Sequence, residues 1–159
     1  MYFKPKGMRL QKKSLLLILT LLFAACDSFI GQNCGACFTP PAFFHINLID
    51  KNTSVSIFSQ QEYDLNNVVV VNADTDEKIG FYVVSENGYQ LIVIDSIGWQ
   101  TESVRAKIII NNTTLMNLDI EADRISDNCC TYTNFDKIEF DKENTLDPSN
   151  GIYTVTLNL

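Results

Sequence analysis

The chain has 159 residues, 46% of them hydrophobic, enough for one packed domain of ordinary size. Its 12 basic and 19 acidic residues give a net charge of −7. The five basic residues before Cys26 (Lys4, Lys6, Arg9, Lys12, Lys13) stand in a stretch without acids, so the remainder carries 7 bases against 19 acids, or −12. A body that acidic is a poor partner for nucleic acid and does not dock electrostatically on an anionic membrane; short blocks of Val, Ile, Leu, Phe and Tyr, recurring through to Leu159, argue against disorder.

Residues 1–13 are basic, and Leu15 to Ala25 are almost wholly apolar. That run falls short of the roughly 18–20 apolar residues that a membrane-spanning helix needs. A basic start, a short apolar stretch and small residues before a cut site describe a secretory signal peptide, here residues 1–25. Phe23-Ala24-Ala25-Cys26 resembles the bacterial lipobox. That resemblance implies a lipid-modified Cys26, a signal peptide cleaved before it, and anchorage to a membrane through the N-terminal lipid. The expected place is the cell envelope of a Gram-negative bacterium, at the outer membrane, with the periplasmic or surface face left open.

Residues 26–41 read as the lipidated cysteine and a tether, because Thr39-Pro40-Pro41 forbids a helix there. Residues 42–159 read as a single β domain. Phe44, Ile46 and Leu48 alternate with His45 and Asn47, and the unbroken run Val68 to Val71 predicts a strand covered on both faces. Ile79 to Val84 and Tyr89 to Ile94, separated by Ser85-Glu86-Asn87-Gly88, predict a hairpin. Val104, Ala106, Ile108 and Ile110 share one face, with Arg105 and Lys107 between them. Leu118, Ile120 and Ala122 point inward, opposite Asp119, Glu121 and Asp123. Ile138 with Phe140, and Tyr153 with Val155, Leu157 and Leu159, complete the apolar set. About seven to nine short strands with turn residues between them predict an all-β fold, an antiparallel β-sandwich of immunoglobulin-like or transthyretin-like type.

Removing Cys26 leaves Cys34, Cys37, Cys129 and Cys130. The segment Cys34-Gly35-Ala36-Cys37 resembles a thioredoxin-type redox site, but Phe38-Thr39-Pro40-Pro41 breaks the helix that would activate such a thiol. Four zinc ligands are a second reading, opposed by the adjacent pair Cys129-Cys130 and by the oxidising compartment. The expectation is two disulfides. Pairing within each cluster would demand a bridge between neighbours, whereas cross-pairing ties the tether to a late strand.

No catalytic set assembles around His45, the only histidine, which reads as a half-exposed strand residue. Asn72, Asp74 and Asp76 have the spacing that opens a calcium loop, but Glu77 and Val83 stand where that loop needs Gly and Glu. Trp99, the only tryptophan, reads as core, with an exposed sugar-stacking platform as the alternative. No cofactor or metal is expected.

Cys34-x-x-Cys37-Phe38-Thr39-Pro40-Pro41-x-x-Phe44, then Leu48-x-Asp50-x-x-Thr53, Cys129-Cys130 and Gly151-Ile152-Tyr153, is similar to a group of small uncharacterised Bacteroidota lipoproteins. The resemblance implies an exported, lipid-anchored, β-rich domain and brings no catalytic residues with it. Asp50 to Thr53 also resembles a turn of carboxypeptidase-regulatory-type β-sandwiches. The expected function is therefore a non-enzymatic structural or protein-interaction module at the cell envelope. The alternative is a surface accessory protein that binds a glycan or peptide; nucleic acid is excluded as a partner.

Overall fold

A computed structural model describes residues 37–86, 88–127 and 130–159. The predicted signal peptide, Cys26, Cys34 and Cys129 lie outside the described residues. The described residues make one compact unit.

Nine strands are present among the described residues: β1 (Phe44–Asp50), β2 (Val68–Asn72), β3 (Phe81–Glu86), β4 (Tyr89–Ile94), β5 (Glu102–Ile110), β6 (Thr113–Asp127), β7 (Cys130–Phe140), β8 (Asn144–Asp147) and β9 (Ile152–Leu157). The helical content of the described residues consists of single 3₁₀ turns at Ile57–Ser59 and Leu65–Asn67. No helix among the described residues is long and apolar enough to cross a membrane. The strands form a five-stranded sheet in the order β3-β4-β1-β9-β8 and a four-stranded sheet in the order β2-β5-β6-β7. This is the expected β-sandwich.

Period-two alternation explains how the two sheets meet. Phe44, Ile46 and Leu48 of β1, Ile92 and Ile94 of β4, and Val155 and Leu157 of β9 are buried on one side. Val104, Ala106, Ile108 and Ile110 of β5, with Met116, Leu118, Ile120 and Ala122 of β6, are buried on the other. Side chains two apart share a sheet face, so these sets close on each other as one core.

The local hairpins follow the turn chemistry. Glu86 pairs with Tyr89, leaving two residues between β3 and β4, and Gly88 adopts φ +82°. Asn111 and Asn112 connect β5 to β6 with φ of 51° and 62°. Two successive left-handed residues make the turn whose twist matches paired strands, and asparagine tolerates that conformation.

One pairing departs from the antiparallel pattern, and two expectations need correction. The pairing is antiparallel except for β1 with β9, which run parallel with His45 opposite Ile152 and Asp50 opposite Leu157. The first and last strands meet side by side after the rest of the chain has crossed between the sheets, a relation with no local signature. Val68 to Val71 is not covered on both faces: β2 is an edge strand and Val69 is 37% exposed. Ile138 faces Ile120 but stays exposed, because β7 is the opposite edge and nothing pairs beyond it at that point. The inward role falls to Phe135. A register shift after the Glu121–Lys137 pair leaves Asp136 as an extra residue, so Phe135 aligns with Ala122 and its ring meets Phe44 edge-on at 5.3 Å.

Candidate functional site

Cys37 and Cys130 form a disulfide, 93 residues apart in sequence, joining the first cysteine cluster to the second as cross-pairing requires. Cys37 is therefore not partnered within its own C-G-x-C segment, and neither Cys37 nor Cys130 offers a thiolate for zinc. Main-chain bonds extend the link: Thr131 N–H donates to the Cys37 carbonyl (3.2 Å) and Thr39 N–H donates to the Thr131 carbonyl (3.0 Å). Residues 37–39 thus lie along the start of β7, with Phe38 bridging Thr131 in parallel.

That docking determines where Phe38 goes. Its ring is 61% exposed and stacks on Trp99, with centroids 6.0 Å apart and planes 24° apart. The Arg124 guanidinium lies 5.1 Å from the Phe38 centroid, a cation–π contact. Arg124 Nη1 also donates to the Thr39 carbonyl (2.9 Å) and to Thr133 Oγ1 (2.7 Å), and the Thr133 hydroxyl donates onward to the Gly98 carbonyl (2.6 Å). Segments far apart in sequence are joined through one chain of hydrogen bonds.

Trp99 is 48% exposed, which corrects its expected place in the core. The physical reason lies in its neighbours. Ile97 fills the core position, and Gly98 at φ +91° turns the chain outward while its backbone packs on Phe135 and Thr133. The indole is nonetheless held in place: Trp99 Nε1 donates to the Asp95 carbonyl (2.8 Å), and Gly98 N–H donates to Glu102 Oε1 (2.7 Å). Thr101 Oγ1 donates to Asp123 Oδ1 (3.1 Å) and accepts from Arg124 N–H (2.9 Å). The result is a fixed pair of exposed aromatic rings with a polar rim.

The other predicted positions have structural employment. His45 is half-buried on the outer face of the five-stranded sheet, in register with Val93 on one side and Ile152 on the other. It borders an open groove of about 500 Å³ with Tyr82, Tyr89 and Asn150 over a floor that includes Leu91. No acid–base partner joins His45 there among the described residues. Asn72 Oδ1 accepts from Asp74 N–H, closing a turn (2.9 Å), while Asp74 faces Arg105 (3.7 Å) and Asp76 faces Lys107 (3.4 Å). No group of three metal-coordinating side chains gathers among the described residues.

The acidic row on β6 divides. Asp119 bonds Arg105 Nε at 2.8 Å and Lys137 Nζ at 3.5 Å, and Lys137 reaches Glu139 at 3.1 Å. The hydrogen bond from Arg105 holds the Asp119 carboxyl below the usual carboxylate range, and the same bond raises the Arg105 guanidinium. Lys137 is raised chiefly by its hydrogen bond to Glu139. The Arg105–Asp119 and Asp119–Lys137 pairs are cross-strand ties on the outer face of the four-stranded sheet, whereas Lys137–Glu139 lies within β7. Glu121 and Asp123 are exposed and have no ion-pair partner among the described residues.

Sequence reasoning missed Phe38 and Arg124 as members of one surface. Two signals bear on them: Phe38 follows a disulfide cysteine directly, and Arg124 is the only basic residue of β6. No family model, curated protein or solved structure matches the chain.

Proposed function

We propose that this chain is an exported, non-catalytic binding module, anchored by a lipid on Cys26 in the cell envelope of a Gram-negative bacterium. Its contact surface is the aromatic pair Phe38 and Trp99. The carrying observation is the state of Trp99: nearly half exposed, stacked on Phe38 and tethered through its indole N–H. Rigid aromatic rings are efficient anchors because little freedom is lost on contact. A disulfide spanning the domain supports export, since such bonds persist in oxidising compartments. This favours the ligand-binding alternative over a purely structural role, with the partner an envelope glycan or protein.

Trp99 is the sole tryptophan, so its fluorescence reports directly on this surface. Acrylamide is expected to quench it readily in the free protein and less in envelope extracts that hold the partner. Protection that persists in Phe38→Ala, or no protection in any extract, removes this surface as the contact. Anchorage is tested separately: incorporation of labelled palmitate is expected in the natural chain and absent in Cys26→Ser.

A further inference from the structure

We infer that the free edge of β3 pairs with β3 of a second copy of this chain, antiparallel and across a two-fold axis. The inference does not rest on the binding role proposed above. A sheet edge presents unpaired N–H and C=O groups, and folded proteins blunt such edges with charge, irregularity, shortness or cover. Three of the four sheet edges among the described residues are blunted. Along β2, Asn72 N–H donates to the Glu77 carbonyl (2.8 Å) and Ile79 N–H to the Val70 carbonyl (3.0 Å), so residues 77–79 cover it. Along β7 lie residues 37–39, then the bulge at Asp136 and the charges of Asp136, Lys137 and Glu139. β8 is only four residues long.

β3 has none of these devices. Phe81 to Ser85 carries no charge and no proline, and its pairing with β4 runs without a register shift. Glu86 and Tyr89 close a two-residue loop, which makes theirs a hydrogen-bonded pair. Such pairs alternate along an antiparallel ladder, so Val84 and Tyr82 also bond to β4, while Phe81, Val83 and Ser85 direct their main-chain groups outward. No described residue bonds to those outward groups. Both sides of the edge are open. The groove of about 500 Å³ bordered by Tyr82, Val84 and Tyr89 lies on the outer side. On the inner side, one of about 530 Å³ lies between Val83, Phe58, Tyr63 and Leu65.

Donors and acceptors at this spacing along an extended edge are matched by another extended main chain, which identifies the occupant as a polypeptide strand. This chain's own β3 fits the edge in one register. With Val83 opposite Val83 of the copy, Phe81 stands opposite Ser85 and Ser85 opposite Phe81, so every outward residue exchanges both main-chain bonds. A slip in either direction leaves Phe81 or Ser85 without a partner. In the same register Tyr82, 42% exposed, meets Val84 of the copy on the outer face. An aromatic ring against a β-branched side chain is a favourable cross-strand pair. No charge faces a charge from Phe81 to Ser85, so the acidity of the two bodies is not concentrated at the contact. A foreign strand is the competing occupant, and this side-chain match favours the copy. The pairing is isologous, so it closes as a dimer and extends no further.

The test is sedimentation equilibrium of the full chain in density-matched detergent, across a range of concentrations. A reversible monomer–dimer equilibrium is expected. Val83→Pro removes an outward N–H and no bond to β4, and is expected to weaken the dimer by roughly tenfold or more. Tyr82→Lys leaves the main chain untouched and places a charge against Val84 of the copy, with the same effect expected. Circular dichroism confirms that both variants fold. Register is read by mild oxidation of mixed chains. Tyr82→Cys together with Val84→Cys is expected to give more disulfide-linked dimer than either variant alone, with the natural chain as background. A chain that stays monomeric, a dimer indifferent to both variants, or no preference for the mixed pair overturns the inference. If the monomer instead captures an extended peptide from an array, and Val83→Pro loses it, the edge belongs to a foreign strand and the two-fold pairing fails.

Discussion

Gly98 shows how a single residue decides the position of another. Its φ of +91° belongs to the region that penalises side chains, and a Cβ there would stand 2.9 Å from the Phe135 ring and 3.1 Å from a Thr133 methyl. Gly151 shares the positive φ, at +71°, but a Cβ added there meets nothing within 4 Å. Gly151→Ala is therefore expected to cost about 1 kcal/mol of left-handed strain. Gly98→Ala adds a collision with Phe135 and is expected to cost more. It is also expected to shift Trp99 emission, because the loop that carries the indole must move. Urea unfolding followed by fluorescence measures both effects; equal losses with unchanged emission would show that Gly98 does not position Trp99.

Among the elements, β5, β6 and β7 are tied across their outer faces by Arg105, Asp119 and Lys137, in addition to their main-chain ladder. Asp119 titrates below the usual carboxylate value in the folded chain, so folding favours its ionised form. Its contribution is present above the unfolded value of about 3.9 and disappears as pH falls through the lower, folded value. Asp119→Asn is expected to melt lower than the natural chain at neutral pH, with the gap closing as the pH drops below about 4. Thermal melts across that range check it, and a gap independent of pH would mean that the carboxylate charge contributes nothing. The alternation of these strands was legible in the sequence because burial on one face imposes period two. The edge positions of β2 and β7 were not: Val69 and Ile138 have the residue types of a covered strand, and their exposure depends on whether another strand lies beyond them.

At the scale of the whole molecule, the Cys37–Cys130 bond ties the segment before β1 to β7 and so joins the chain entering one sheet to an edge of the other. Closing a 93-residue separation restricts the unfolded chain by about 4–5 kcal/mol in the chain-entropy account. Replacing Cys37 and Cys130 by serine together is expected to lower stability by up to that amount. It is also expected to weaken the near-ultraviolet circular dichroism signal of the Trp99–Phe38 stack under conditions where the β-sandwich remains folded. An unchanged aromatic signal would show that hydrogen bonds from Thr39 and Arg124 hold Phe38 without the disulfide.

By itself the sequence determined what is local or compositional: an acidic body, alternating strands, turns at Gly88 and Asn111-Asn112, and hence a β-sandwich whose core takes most of the expected residues, though Ile138 and Leu159 are exposed. These features follow from charge count, side-chain alternation and backbone preference, each expressed within a few neighbouring residues. Only the tertiary structure decided the parallel pairing of β1 with β9, the edges of the two sheets, the partner of Cys37 and the outward position of Trp99. Those depend on which distant segments meet. The Phe38–Trp99–Arg124 surface exists because a disulfide, a bulge and a left-handed glycine bring together residues spread from 37 to 135.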